Sequence, residues 1–430
     1  MSGISSAEAT QDKQAARPKL LEVLGPGLIT GASDDDPSGI ATYSQVGAQF
    51  GYGLGWTLLL TFPLMCAIQQ ISAQIGCVTG RGLAGNMRRQ SSAWVLHAIV
   101  GLLVVANTIN IGADLGAMGA ALTLLVGGPT LLYVALIALI TVVLAVFVQY
   151  SHYVSVLKWL TLSLFAYVAT VFVVDVPWGQ VGANLVYPHI SWDSAYLTAV
   201  VAVFGTTISP YLFFWQAGQE VEEQKEDPAT SPLREAPEQA PSQLTRIRLD
   251  TYVGMALSNL IALCIVITAA ATLHANGQTD IQTSSQAAEA LRPIAGKFAF
   301  TVFAAGIIGT GLLALPVLAG SAAYALGEAF QWPVGLARRP YAAHAFYATI
   351  AIATLIGVLI NFSPIDPVKA LFWSAVINGV VAVPVMVMTM LLASRRAVMA
   401  QFALGTPLKT MGWVATGVMT AAAVGMFATL

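Results

Sequence analysis

The stretch Ser33-Asp34-Asp35-Asp36-Pro37-Ser38-Gly39 sets three adjacent carboxylates, a proline and a glycine inside an otherwise apolar segment. Carboxylates attract cations, and one charge at bilayer depth costs about 2.5–3.5 kcal/mol on insertion scales. Packing does not call for three of them. A helix broken beside a polar cavity does, and such cavities bind the substrates of transporters. A second interruption, Gly205-Thr206-Thr207-Ile208-Ser209-Pro210-Tyr211, again joins a proline to small and hydroxyl residues. Proline removes a backbone donor and clashes with the preceding turn. At such a break the carbonyls ending the first half-helix attract cations, and the amides opening the second attract anions. Pro37 suits the first position of a new half-helix with Asp36 as its N-cap. Asp34 and Asp35 are then left to face an ion or an aqueous vestibule.

Further polar residues fall within apolar runs. Asn107, Asn110 and Asp114 repeat at spacings of three and four, which places them on one helical face. Asp114 is ionisable in mid-span and is read as functional. The two asparagines suit a polar pathway and an interhelical hydrogen-bond stripe equally. Gln216 and Asn378 are further pathway candidates. Hydroxyls are common at membrane helix interfaces, but Thr206, Thr207 and Ser209 stand beside Pro210 and opposite the Asp cluster, so they are expected to line the cavity with Tyr211, Ser38 and Gly39. Cys66, Cys77 and Cys264 lack metal-site spacing, and His97, His152, His189, His274 and His344 form no ligand pattern.

The elements that must position these residues are membrane spans. Of 430 residues, 57% are hydrophobic and 9% charged, and the mean hydropathy is +0.73. A soluble domain has roughly 25% charged residues. Apolar runs of membrane-crossing length recur over 24–47, 53–77, 93–125, 131–149, 154–174, 194–217, 249–273, 296–325, 342–361, 368–393 and 410–429. The reading is an all-α polytopic membrane protein of eleven spans, with spans one and six broken. Lys13, Arg17, Lys19, Arg81, Arg88, Arg89, Lys225, Arg234, Arg246, Arg248, Arg338, Arg339, Arg395, Arg396 and Lys409 fall on one side, against Arg292, Lys297 and Lys369 on the other. The positive-inside rule then predicts a plasma (inner) membrane protein with a cytoplasmic N-terminus and an outer C-terminus. Residues 1–20 are expected to be disordered, and 219–245, rich in Glu, Gln, Pro and Ser, to form a flexible cytoplasmic linker. The linker separates 21–218 from the remaining spans in 246–393, with 394–430 holding a loop and the last span. Five spans separate the breaks, as expected of inverted five-helix repeats with discontinuous first helices.

Gly25-Pro26-Gly27, Asp36-Pro37, Ala41-Thr42, Gly47-Ala48-Gln49-Phe50-Gly51-Tyr52, Val78-Thr79-Gly80-Arg81 and Asp114-Leu115 together resemble the NRAMP superfamily of divalent-metal transporters. The resemblance is dense over 24–120 and keeps the eleven-span layout beyond. It implies a LeuT-like fold, two inverted five-helix repeats plus an eleventh helix. The sequence departs from the family at the substrate site. The family's Asp-Pro-Gly-Asn reads Asp36-Pro37-Ser38-Gly39, which keeps the carboxylate and loses the amide. The family's Ala-x-x-Met-Pro-His reads Thr206-Thr207-Ile208-Ser209-Pro210-Tyr211, so thioether becomes hydroxyl and imidazole becomes phenol. A second family histidine is Gln216, and a span-three acid is Ala117.

Losing the thioether leaves oxygen ligands, which suit hard cations such as magnesium. Asp36, with Asp35 and Asp34, is the expected metal set. Loss of the histidines and of the acid predicts weak or absent proton coupling. A second reading keeps the fold and changes the substrate to bicarbonate or a carboxylate, held by the amides after Pro37 and Pro210, with a coupling cation at the Asp residues. A membrane-embedded receptor or enzyme is the remote alternative. No nucleophile–base pair, metalloprotease motif or phosphate loop supports it, so the expectation is not an enzyme. The only expected metal is the transported ion, Mg2+ or Mn2+, with no other cofactor. The expected partners are that small ion and the lipid bilayer, not nucleic acid. The residues leave the oligomeric state open.

Overall fold

The computed structural model describes residues 26–148, 162–188 and 190–430. The N-terminal segment 1–20, the start of the fifth span, His152 and His189 lie outside the described residues. The labelled helices are α1 (Pro26–Asp34), α2 (Pro37–Phe50), α3 (Gly55–Thr79), α4 (Leu83–Gln90), α5 (Ala93–Val126), α6 (Thr130–Phe147), α7 (Ser194–Thr207), α8 (Pro210–Glu226), α9 (Ala240–Thr272), α10 (Ala299–Phe330), α11 (His344–Ile360), α12 (Pro367–Ser394) and α13 (Thr406–Thr429). Among the described residues, eight helical stretches are long and apolar enough to cross a membrane. Of the other expected spans, the first is divided into α1 and α2, the fifth is described from Leu162 onward, and the ninth is the 17-residue α11. Large apolar side chains such as Leu102, Leu136, Leu139, Leu355 and Phe427 are exposed on the outer faces, as lipid contact requires.

Both breaks fall where the proline pattern predicts. Pro37 opens α2 at its first position, and Asp36 in extended geometry is the N-cap. Pro210 opens α8 after Ile208 and Ser209 leave helical geometry. The broken helices pair half against half, with α1 on α8 and α2 on α7. Helix α9 runs along both α1 and α2, while α5 packs on α10, and α12 on α7, α5 and α2. The breaks therefore meet inside a ring of unbroken helices.

The segment 219–245 differs from the expected flexible linker. Helix α8 continues to Glu226 and α9 begins at Ala240. Between them Leu233 is buried, and the amides of Leu233 and Arg234 donate to the carbonyls of Cys77 and Val78, each at 3.2 Å. Composition missed this because one apolar residue and two backbone hydrogen bonds anchor the turn to the end of α3.

Little hydrophobic force drives helices together in lipid, so close backbone approach carries much of the packing. Gly379 on α12 lies against α7, where an added Cβ would meet the Val201 carbonyl oxygen at 2.6 Å. We predict that Gly379→Val lowers stability by about 1–3 kcal/mol through overpacking, read as a lower thermal unfolding midpoint of the purified protein. An unchanged midpoint would refute this contact.

Candidate functional site

Asp36 is held from three sides. Its Oδ1 accepts from the Gly39 amide at 2.8 Å and the Ser38 hydroxyl at 2.7 Å. Its Oδ2 accepts from Asn110 Nδ2 at 3.0 Å. The Asn110 amide also reaches Asp114 Oδ2 at 3.4 Å, and Asn378 Nδ2 reaches Asn110 Oδ1 at 3.5 Å. Asp36 at the break of span one, Asn110 and Asp114 on α5, and Asn378 on α12 thus form one connected group. The second break faces it, since an added Cβ on Gly39 would lie 3.1 Å from Thr206 Oγ1.

Asp34 and Asp35 do not turn toward Asn110. Both accept from Ser258 Oγ on α9, at 2.8 Å to Asp34 Oδ2 and 3.3 Å to Asp35 Oδ1. The three carboxylates are 0%, 2% and 1% exposed, and Asp114 is 0% exposed, so the group is shut off from both surfaces in this conformation. Among the described residues no group of three or more His, Cys, Asp or Glu side chains is arranged to hold a metal ion. The three adjacent aspartates therefore divide between two partners, Asn110 for Asp36 and Ser258 for Asp34 and Asp35. Asp114 Oδ1, Asn378 Oδ1 and Asp34 Oδ1 are buried acceptors without a hydrogen-bond donor. Buried acceptors of this kind are matched by a cation or by ordered water, and those of Asp114 and Asn378 belong to the group around Asp36 and Asn110.

The other expected residues divide. Ser209 Oγ donates back to the carbonyls of Gly205 and Thr206 at 2.9 and 3.0 Å, and Thr207 Oγ1 to that of Val203 at 2.9 Å. The Ser209 hydroxyl thus meets carbonyls released at the break, while Thr207 bonds back within its own helix. Tyr211 Oη donates to the Ser33 carbonyl at 3.2 Å and ties α8 to the end of α1. Asn107 bonds the Leu318 carbonyl and Ser321 on α10, at 2.9 and 2.7 Å, apart from the Asp36 group. Gln216 accepts from Gln69 at 2.6 Å and donates to Thr251 at 3.3 Å.

Residues beyond those expected at the site also tie these helices together. Gln69 also donates to the Leu212 carbonyl at 3.0 Å. Asp250 Oδ2 accepts from the Gly27 amide at 2.6 Å, fixing the start of α1 to α9. Arg246 pairs with Glu220 at 2.5 Å and Glu223 at 3.3 Å. The pair Gln69-Gln70 was a visible signal, two amides inside an apolar span. Ser258 carried none, because a lone serine in a membrane helix is ordinary.

A closed polar group at the meeting point of two broken helices, inside a ring of apolar ones, defines an integral membrane protein of the transporter kind. The family model for natural resistance-associated macrophage protein-like (Nramp) proteins matches residues 27–429, and the chain belongs to that family. The divalent metal cation transporter MntH of Verminephrobacter eiseniae is 28% identical over 371 residues, 82% of this chain and 81% of that protein. Among solved structures, the Eremococcus coleocola manganese transporter, in complex with an aromatic bis-isothiourea substituted compound, aligns at a TM-score of 0.71 and 18% identity, covering 93% of this chain and 85% of that one. A nucleobase-cation-symport-1 family transporter, Mhp1, in a closed conformation with bromovinylhydantoin bound, aligns at 0.59 and 15% identity, over 94% and 92% of the two chains. The fold is LeuT-like, as the resemblance implied.

Ser258 is the hydroxyl donor to two buried carboxylates. We predict that Ser258→Ala costs about 1–3 kcal/mol, the desolvation of acceptors left unmatched, read by thermal unfolding. A midpoint equal to the parent's would show that Asp34 and Asp35 do not depend on it.

Proposed function

We propose that this protein is a secondary transporter that moves a divalent cation by alternating access, with the ion held by oxygen atoms around Asp36. The observation that carries the reading is the Asp36–Asn110–Asp114 group at the helix break, with its unmatched buried oxygens. Asp36 is the ionic ligand. Asn110, Asp114 and Asn378 supply further oxygens, and the carbonyls of Gly205 and Thr206 stand at the opposite break. Carriage of divalent metal is also what the relatives' names describe, manganese in the Eremococcus case.

For the choice of ion, the chain's own residues argue for a hard cation such as magnesium. Neither thioether nor imidazole stands at the second break, where Ser209 and Tyr211 replace the family's Met and His. Soft ligands favour manganese, iron or cadmium over magnesium. Weak or absent proton coupling follows from Tyr211, Gln216 and Ala117, none of which is an acid or an imidazole. The anion reading loses part of its donor set. The Gly39 amide is taken by Asp36 and the Leu212 amide by the Ser209 carbonyl, and Pro37 and Pro210 have no N–H. We assign no reaction and no resident cofactor. By the distribution of Lys and Arg, the protein lies in the plasma (inner) membrane with its N-terminus in the cytoplasm.

Asparagine caps a helix as well as aspartate does, so Asp36→Asn separates the cap from the charge. In proteoliposomes offered magnesium, manganese, calcium or bicarbonate, with and without a pH gradient, we expect magnesium flux in the parent, insensitive to the gradient. Flux should fall by about tenfold or more in Asp36→Asn, a loss of at least about 1.4 kcal/mol, with the fold intact by thermal unfolding. Undiminished flux would sink the assignment of Asp36. Separately, Ser209→Met should raise manganese or cadmium flux relative to magnesium, and an unchanged ratio would count against the oxygen-ligand argument.

A further inference from the structure

Away from the buried site, a cavity of about 420 Å³ opens where α3 gives way to α4. It is lined by Arg81, Arg88, Arg89 and Lys225, together with Glu328 and Gln331. Arg88 and Arg89 end α4, Lys225 sits in the last turn of α8, and Glu328 lies near the end of α10. The carboxylate does not neutralise the cations by pairing. Glu328 Oε1 accepts from the Gly82 amide at 2.7 Å and Oε2 from the Gly85 amide at 2.9 Å, which fixes it at the start of α4. Among the described residues the ion pairs join Arg246 to Glu220 and Glu223, and Arg292 to Glu289, so none of the four cations lining the cavity has a carboxylate partner.

Arg81 is affected by burial first and by its cationic neighbours second. Burial, and then the neighbouring Arg89 and Arg234, hold its guanidinium below its ordinary range, against smaller opposing contributions from Glu235 and Glu328. Like charges gathered in a concave, partly desolvated place strain one another unless an anion joins them, and guanidinium groups match phosphate oxygens in paired hydrogen bonds. Juxtamembrane clusters of basic residues are attracted to anionic lipid headgroups by the same physics.

We propose that this cavity binds a phosphate group, presented by an anionic phospholipid headgroup or by a soluble phosphate ester, and that the bound phosphate joins α4 to the inner end of α8. Lys225 belongs to the half-helix that follows the second break, so occupancy would hold that half-helix against the connection between α3 and α5. The site is separate from the Asp36 group and takes the opposite charge.

The full-length protein in a zwitterionic detergent tests this by thermal unfolding against dioctanoyl phosphatidylglycerol, dioctanoyl phosphatidylcholine and sodium pyrophosphate. The expected result is a saturable rise with phosphatidylglycerol, pyrophosphate or both, and none with phosphatidylcholine. A rise with phosphatidylglycerol alone identifies the lipid headgroup as the source, and a rise with pyrophosphate a soluble phosphate. Apparent affinity should fall by about tenfold in Arg88→Gln/Arg89→Gln and in Lys225→Gln, a loss of about 1.4 kcal/mol. The exposed pair Arg248→Gln/Lys409→Gln, neither of which lines the cavity, should leave it unchanged. An equal loss in that control pair would mean diffuse surface attraction and overturn the site, as would the lack of a saturable rise with either phosphate compound.

Discussion

Everything in this molecule is arranged around the problem of keeping the Asp36 carboxylate in the membrane interior. An uncompensated charge there is prohibitive, and a carboxylate oxygen is stabilised mainly by donors aimed at it. The chain supplies those donors by breaking its own helix. With Pro37 at the first position of α2, the free Gly39 amide turns toward Asp36, and Ser38 follows within the same turn. The third donor, Asn110, comes from another helix. One residue thus caps a half-helix and is tied to α5, so the break, the cap and the tertiary contact are a single structure.

That coupling explains the architecture around it. A break frees carbonyls as well as amides, and those of Gly205 and Thr206 in the sixth span are met by the Ser209 hydroxyl, which turns back onto its own helix. Since α1 packs on α8 and α2 on α7, each interrupted helix covers the other's exposed backbone. The unbroken helices need only close around this pair. They approach through small residues, as where Gly31 on α1 meets the backbone of Gly254 on α9.

The parts legible in the sequence are those that local chemistry decides. Proline in mid-span marks both breaks, the residue before Pro37 reads as the cap, and apolar runs give the spans. What the sequence hid depends on partners far along the chain. Asp34, Asp35 and Asp36 look alike as neighbours, yet Ser258, more than 200 residues away, draws off the first two. Asn107 and Asn110 share a helical face by spacing, but a one-turn offset sends Asn107 to Ser321 on α10 and Asn110 to Asp36. The 219–245 segment has the composition of a tether and is anchored where Leu233 meets the end of α3.

The position of Ser209 bears on how an ion would be held under the proposed function. A family thioether at this place would project a ligand atom from the break. The serine hydroxyl instead donates to the carbonyls of Gly205 and Thr206, and its proton occupies lone pairs that would otherwise be open to a cation. Under that proposal the sixth span would contribute weaker ligands than the family pattern implies, and the first and third spans would carry the charge, through Asp36 and Asp114. A site with its charge on one wall and weak carbonyls on the other favours an ion that keeps part of its water shell, with water bridging to the weaker wall. Magnesium gives up water reluctantly and binds proteins through one or two carboxylates with several waters retained. The loss of the soft ligand and the retention of Asp36 thus act in the same direction.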